Sequence, residues 1–343
     1  MSFRLFCSFP LALGLLTAQS SQPSLPTIGI IDFFGVRKAS IDRLKKAIGA
    51  VEGDPLPKSK GLVEDRMELV NLVVRARLEA VCCEDGKAVL YIGVEEKGAA
   101  AFNYRESPEG TAKLPEEIVD IYLQFFEKLQ TAIRQNDIAE DLTRGHSFMV
   151  NAAARADQIK FLPLAKTHEA ILREVLRSSV DEVERAIAAY VIAYVPNKAT
   201  ITDDLQYAMQ DPDDGVRNNA MRSLLGITIL SEKEPKLELK ISPTWFVEQL
   251  NSIVWNDRNK AATALLSLTE KKNPQLLAML RERSLDALID MARWRHLSHA
   301  LPGYILLGRI AVYDEKRLQA GWSAGQHQPL TEEIIKELTR KKK

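Results

Sequence analysis

The pattern of apolar and polar positions is clearest in residues 211–227, which read DPDDGVRNNAMRSLLGI. Four apolar residues in this stretch recur at helical spacing and share one face; they are Val216, Ala220, Leu224 and Ile227. Asp213 or Asp214 can cap the first turn, where backbone N–H groups lack partners and the helix dipole favours negative charge. The stretch therefore predicts an amphipathic helix that begins at an acidic turn.

The same order of residues occurs three times. The arginines that anchor the copies are Arg185, Arg217 and Arg258, which are 32 and 41 residues apart. An alanine follows each arginine by three residues, and apolar residues follow by seven and ten: Ala188, Ile192 and Val195; Ala220, Leu224 and Ile227; Ala261, Leu265 and Leu268. An acidic residue precedes each anchor, at Asp181, Asp213 and Asp257. Periods of this length indicate a helical repeat, and a degenerate fourth copy falls near residues 294–310.

This arrangement resembles HEAT repeats, in which Asp and Arg commonly tie adjacent repeats together and a small Ala lets helices approach closely. The resemblance implies that residues 115–343 form an all-α, HEAT-like solenoid, with Ala220 at a tight helix–helix contact. Such repeats bury their apolar faces only against neighbours. Periodicity predicts the helices near 115–135, 151–163, 166–177, 181–195, 200–209, 214–228, 243–254, 257–270, 274–281, 283–295, 300–314 and 330–341.

Residues 25–98 follow a different pattern. A β-rich run at residues 27–33 precedes two predicted helices, at 40–48 and 59–73, and two strands, at 77–83 and 88–95. Asp85 and Gly86, between the last two strands, are a strong hairpin signal. The order β-α-α-β-β predicts a small α/β domain, so the whole chain is expected to be an α+β module followed by helical repeats.

This N-terminal module resembles a POTRA domain around Phe34 and Gly35, in the turn at residues 53–56 and in the closing VLYIGVEE. It differs at Val36, where the family usually has Asn after Gly. The resemblance implies a bacterial envelope module that binds partners, often by pairing an exposed strand edge with another chain. The alternative is a generic α+β domain whose sheet edges are covered.

The first twenty residues combine Arg4, an almost wholly apolar run and small residues, a pattern typical of a secretory signal peptide. The apolar run is shorter than the roughly 20 residues of a spanning helix, and a buried strand or helix is the alternative. We expect cleavage after Ala18 or Ser20, export without an anchor, and a periplasmic or envelope-associated location. Of the cysteines, Cys82 and Cys83 would remain, as thiols on opposite faces of a strand, because adjacent residues lie closer than a relaxed disulfide requires.

The composition changes this picture little. The chain is 46% hydrophobic and 27% charged, which fits a folded protein. Lysine and arginine together equal aspartate and glutamate, at 46 each, so net charge provides no general attraction to nucleic acid or an anionic membrane. Residues 99–114 contain Gly, Ala and Pro without a sustained period and predict a linker.

Candidate chemistry is sparse. The sequence has no Gly-rich phosphate loop, nucleophile elbow or zincin motif. His296 and His299 could share a metal from one helix face, but no acidic residue is spaced to join them, and packing between terminal repeats is the alternative. His146 follows Glu140 and Asp141, so it could be a general base held by a carboxylate or a loop histidine that caps a helix. We therefore predict no catalytic residue, cofactor or metal.

The candidate binding residues are the repeat-ladder positions Arg185, Arg217, Asn218, Asn219 and Arg258, whose alternative role is to hydrogen-bond adjacent repeats. The whole chain resembles bacterial HEAT-repeat-containing envelope proteins with a POTRA-like domain, and that resemblance implies no particular activity. We expect a non-enzymatic scaffold whose solenoid surface binds a protein or peptide and whose N-terminal module docks to an envelope partner. The alternatives are a hydrolase or metal-dependent enzyme with a site between the two domains, and a structural subunit of a larger envelope assembly.

Overall fold

The computed structural model describes residues 26–84, 86–135 and 137–340. Within these ranges the chain is mostly helical, with fifteen α-helices and a small mixed sheet near the N-terminus. The N-terminal elements are β1 (Ile28–Phe34), α1 (Ile41–Ile48), α2 (Lys60–Glu68), β2 (Val73–Glu84) and β3 (Lys87–Glu96). They confirm the predicted α+β region followed by helices.

The rest of the described chain contains two short strands, β4 (Glu140–Asp141) and β5 (Phe148–Met149), and thirteen helices. The helices are α3 (Glu116–Arg134), α4 (Ala152–Thr167), α5 (Glu169–Ser178), α6 (Glu182–Val191), α7 (Lys198–Ala208), α8 (Asp214–Lys233), α9 (Thr244–Gln249), α10 (Trp255–Leu268), α11 (Pro274–Arg283), α12 (Leu285–Ala292), α13 (Leu297–Ile310), α14 (Glu315–Ser323) and α15 (His327–Thr339).

Two helix predictions were wrong in detail, and one helix was not predicted. The second predicted helix extends to residue 73, whereas α2 ends at Glu68 and Val73 already begins β2. The helix predicted over residues 181–195 becomes a 3₁₀ turn after Val191. The sequence pattern missed α14, because Leu318 is its one fully buried residue and a single apolar position makes no periodicity.

The sheet has strand order β1-β3-β2, with β1 parallel and β2 antiparallel to the central β3. One face packs with α1 and α2 around Leu44, Met67 and Ile92. The other face carries Val89 and Tyr91, which belong to the large apolar cluster of the helical part. The sheet is therefore covered on both faces, and its second layer is the helical part itself.

The helices after residue 168 pack in pairs. The helices α6, α8, α10 and α13 contact one another in sequence and form an inner row. The helices α5, α7 and α9 each pack against the inner helix that follows them. Ala220 is fully buried where α8 packs against α6 and α10, so its small side chain suits a close approach of helices.

A ladder of buried arginine–aspartate pairs joins successive members of the inner row. Arg185 donates from Nε and Nη2 to Asp211 at 2.9 and 2.8 Å. Arg217 donates in the same way to Asp257, at 3.1 and 2.9 Å. In both cases Nη1 donates to the carbonyl groups five and six residues earlier, which close the preceding turn. Each guanidinium therefore fixes its own turn and the position of the next helix of the inner row.

The acidic residues that precede the three anchors have two different roles. Asp181 and Asp213 cap the first turns of α6 and α8, which confirms the cap predicted at residue 213 or 214. Asp257 does not cap α10, because its carboxylate accepts the guanidinium of Arg217 and the hydroxyl of Ser252.

The segment predicted as a linker, residues 99–114, is bound along the turns that join the paired helices. We call it the strap. Arg105 donates from Nη2 to Asp211 at 2.9 Å, and Tyr104 bonds Ser252 while its ring lies 4.3 Å from the Arg217 guanidinium. The N–H of Val180 donates to the carbonyl of Gly110 at 2.7 Å. The strap thus covers the same turns that the ladder arginines close.

No helix in the described ranges is long and apolar enough to cross a membrane. The predicted signal peptide, residues 1–20, lies outside the described residues. Cys82 and Cys83 fall in β2, but the positions of their side chains lie outside the description, so the opposite-face expectation stays a prediction.

The ladder predicts an asymmetric response to mutation. Replacing Arg217 with Met leaves the Asp257 carboxylate buried without its guanidinium, and we expect a loss of about 3–5 kcal/mol in the free energy of unfolding. The double variant R217M/D257L removes both charges and is expected to lose less than R217M alone. Urea unfolding of the wild type, both single variants and the double variant measures the difference. A double variant less stable than R217M would contradict the buried-pair interpretation.

Candidate functional site

Most of the five predicted binding residues are buried between the packed helices. Arg185, Arg217 and Arg258 are between 1% and 3% exposed. Asn219 donates to the carbonyl of Ala186 at 2.9 Å and so ties α8 to α6, while Asn218 donates weakly to Asn219 at 3.4 Å. These contacts favour the hydrogen-bonding role that the sequence left as an alternative.

His296 and His299 lie beside an aromatic cluster between the sheet and the helices. The rings of His296 and His299 stack with centroids 3.8 Å apart, and the Tyr91 hydroxyl bonds His299 Nδ1 at 2.7 Å. Burial lowers the pKa of His299 to about 4, and neighbouring His296 adds to this. Within the described chain, no group of three His, Cys, Asp or Glu side chains is placed to hold a metal.

His146 lies buried beside Lys198, with 3.4 Å between its Nδ1 and Nζ. Burial lowers the pKa of His146 to about 4, helped by the charges of Lys198 and Arg144. Neither Glu140 nor Asp141 bonds His146, so the interpretation of His146 as a general base held by one of these carboxylates was wrong. Glu140 bonds Arg222 and Ser147, and Asp141 bonds Thr143.

Carboxylates shield part of both edges of the sheet. On β2, the outward N–H groups of Ala76 and Leu78 donate to Glu68 at 3.0 Å and Glu64 at 2.8 Å. On the β1 side, the N–H groups of Ile31 and Gly35 donate to Glu52 at 3.1 Å and Asp290 at 2.9 Å. Half of the β2 edge is therefore closed to a pairing strand.

The rest of the β2 edge opens into a groove. Alternation along the strand turns the N–H of Ala80 outward like those of Ala76 and Leu78, and no side chain in the described ranges accepts a bond from it. A groove of about 590 Å³ lies beside it. The residues that line this β2 groove are Leu56, Pro57, Lys60, Leu78, Glu79, Ala80, Val81, Ile133, Trp255 and Asn256.

Ile133 joins the β2 groove to an apolar stripe on α3. Leu123, Phe126 and Ile133 are 51%, 42% and 53% exposed, and the spacing of the last two places them on one helix face. Such a run of exposed apolar side chains next to a groove is typical of an interaction surface.

Glu79 is one of the residues that line the β2 groove, and it connects the sheet to the helices. The helix α10 has no cap from its own N-terminal residues. Instead, Glu79 of β2 accepts the N–H of Trp255 at 2.7 Å and that of Asn256 at 3.3 Å. Burial, which outweighs the opposing effect of the Trp255 N–H, raises the pKa of Glu79 from 4.5 to about 7, and the nearby Asp257 charge contributes to this rise.

A second polar cluster lies on α8 and α10. Arg222 pairs with Glu140, which also accepts the Ser147 hydroxyl. Lys260 lies one turn after the groove residue Asn256 on α10. Burial, and then the Arg222 charge, lower the pKa of Lys260 to about 8. No carboxylate in the described residues lies within ion-pair distance of Lys260, and the charge of Glu140 opposes the downward shift of its pKa.

Sequence reasoning missed the β2 groove and its two main features, the Glu79 cap and the open edge at Ala80. One signal was present: α10 lacks the Ser, Thr, Asp or Asn that normally starts a helix, because Val254 occupies its N-cap position. A missing local cap indicates that the first N–H groups find an acceptor elsewhere.

No protein-family model matches this chain, and no curated protein matches it.

The Glu79 cap predicts a pH-dependent stability. Because the folded pKa of about 7 lies above the ordinary value of 4.5, the folded state keeps a proton that the unfolded chain has already lost. The Glu79 contribution to the free energy of unfolding is therefore full below about pH 4.5, falls as pH rises, and is lost above about pH 7. Urea unfolding from pH 4.5 to 8 measures it.

The substitution Glu79→Gln is expected to remove this part of the pH dependence, since glutamine does not titrate. The same substitution at exposed Glu109 on the strap is the control and is expected to leave the fall unchanged. A Glu79→Gln variant that follows the wild-type curve at every pH would show that Glu79 titrates normally in the folded protein.

Proposed function

We propose that the protein is an exported, non-enzymatic scaffold that binds an extended segment of a partner protein in the β2 groove. In this proposal the helices form a HEAT-like solenoid and the N-terminal sheet is a POTRA-like module. The protein acts in the periplasm or at the envelope, and its partner is an envelope component.

The observation that carries the proposal is the half-open edge of β2. An extended peptide adds to a sheet where outward N–H and C=O groups are unpaired, and side-chain pockets beside the strand select its sequence. Ala80 supplies such an edge, and Leu78, Val81 and Trp255 supply apolar walls. Because Glu64 and Glu68 close the first half of the strand, pairing would start at residue 80 and run toward residue 84.

The groove also suggests the chemistry of the segment. Its walls are apolar, so alternate side chains of the partner would be apolar. Lys60 lies at the wall, so an acidic residue in the partner segment would find an amine. The α3 stripe offers further apolar contact to the partner residues that follow the paired strand.

The enzyme alternative has less support. Its candidate residues were His146 and the His296 and His299 pair, and none of the three lines the β2 groove. The other alternative, a structural subunit of a larger assembly, is compatible with the exposed α3 stripe. Purification of the protein as a fixed oligomer would favour this alternative.

A substitution at Ala80 separates edge pairing from other modes of binding. Ala80→Pro removes the outward N–H, and an edge strand tolerates proline where the missing N–H faces outward. Ala80→Val keeps the N–H and is the matched control. We expect partner crosslinks at Lys60, measured by mass spectrometry in intact cells, to fall at least about tenfold in the proline variant, in line with the loss of main-chain pairing.

The valine variant is expected to crosslink like the wild type. Equal crosslinks at Lys60 in both variants would show that the edge of β2 is not used. Partner crosslinks that map only to exposed lysines such as Lys236, away from the groove, would place the binding surface elsewhere.

A further inference from the structure

The third ladder arginine differs from the first two. Arg185 and Arg217 each place all three guanidinium nitrogens in hydrogen bonds to an aspartate and to turn carbonyls. Among the described residues Arg258 makes one close hydrogen bond, from Nε to the carbonyl of Ser252 at 2.6 Å, and its guanidinium lies 4.5 Å from the centre of the Phe34 ring. Its Nη1 is buried and has no hydrogen-bond partner, although the residue is only 3% exposed.

The N-terminal module accounts for the missing acceptors. Asp290, which stands where the next ladder aspartate belongs, accepts Arg37 at 2.8 and 2.9 Å and the N–H of Gly35 at 2.9 Å. Its Oδ2 lies 3.6 Å from Arg258 Nη1, so the two groups form an ion pair without the close, two-pronged hydrogen bonds of the other two arginines. The Ile253 carbonyl, five residues before Arg258, is pressed against Gly93 of β3, where even a Cβ atom would lie 1.9 Å from it.

Arg258 lines a partly open pocket between the sheet and the helices, of about 310 Å³. The basic residues at this pocket are Arg37, Lys38, Lys97 and Arg258, and the acidic ones are Glu96 and Asp286. Glu96 is already saturated by the N–H groups of residues 37–39. The Lys38 and Lys97 side chains have no ion-pair partner among the described residues, so the pocket has an excess of positive charge.

We propose that this Arg258 pocket binds a small carboxylate carried on a short apolar group. A carboxylate is the group that satisfies the equivalent arginines, through Asp211 and Asp257. Val94, Ile253 and Ala287 supply apolar walls beside the charges. The volume equals about ten water molecules, enough for one amino-acid-sized group. The ligand is either the C-terminal residue of a peptide or a free small acid.

Ligand-observed NMR titration of the full protein tests the proposal with three probes. N-acetylalanine represents a peptide C-terminus, propionate a free acid, and N-acetylalaninamide is the uncharged control. We expect saturable binding of a carboxylate, at least about tenfold tighter than the amide, because charge-assisted bonds to a buried guanidinium are the strong ones. Tighter binding of N-acetylalanine than propionate assigns a peptide terminus, and the reverse assigns a free acid.

Two variants locate the binding. Arg258→Gln is expected to weaken carboxylate binding at least about tenfold. Because this variant also alters the ladder, the exposed pair K38Q/K97Q is measured beside it and is expected to weaken binding without unfolding the protein. Lys236→Gln, on the helical surface outside the pocket, is the control and is expected to bind like the wild type.

Three results would overturn the proposal. They are no saturable binding of either carboxylate, equal binding of acid and amide, and carboxylate binding that K38Q/K97Q and R258Q leave unchanged. Inorganic phosphate that binds in the pocket where both carboxylates fail would overturn the assignment of the ligand class. None of these outcomes bears on the β2 groove, which shares no residue with the Arg258 pocket.

Discussion

Buried guanidinium groups need acceptors, and this requirement sets the arrangement of the helical part. Removing an arginine from water is costly unless nearly every N–H donates to an oxygen. Arg185 and Arg217 meet the requirement with carbonyl groups of their own turn and a carboxylate from the next one. Because the acceptor belongs to the neighbouring pair of helices, the spacing and register of adjacent pairs follow from the chemistry of the side chain.

The same requirement explains how the small sheet is held. Arg37 of the N-terminal module pairs with Asp290. Glu79 caps the first turn of α10, which has no cap from its own residues. Tyr91 stacks on Trp255, and the Phe34 ring packs against Trp294, so apolar contact accompanies the polar ones. Docking leaves Arg258 short of acceptors and leaves the far end of β2 open. Both candidate binding sites are therefore products of one interface.

Local patterns predicted the helices and strands because local spacing determines them. The 3.6-residue period located most helices, and Arg185, Arg217 and Arg258 were recognisable because each is followed by the same order of alanine and apolar residues. The candidate sites could not be predicted in this way. Glu79 and Trp255 are 176 residues apart, and Arg37 and Asp290 are 253 apart, so no sequence window contains either pair. The strap looked like a free linker because extended chain bound by a few long-range contacts has no period.

The central claim is that the sheet and the inner helices form one cooperative unit through the Arg37 and Glu79 contacts. Native-state hydrogen exchange of the full chain at increasing denaturant tests this most directly. We expect the amides of β3 and those at the start of α10 to exchange through openings of the same free energy. Exchange of β3 at clearly lower denaturant, with α10 still protected, would contradict it and show that the module undocks and opens on its own.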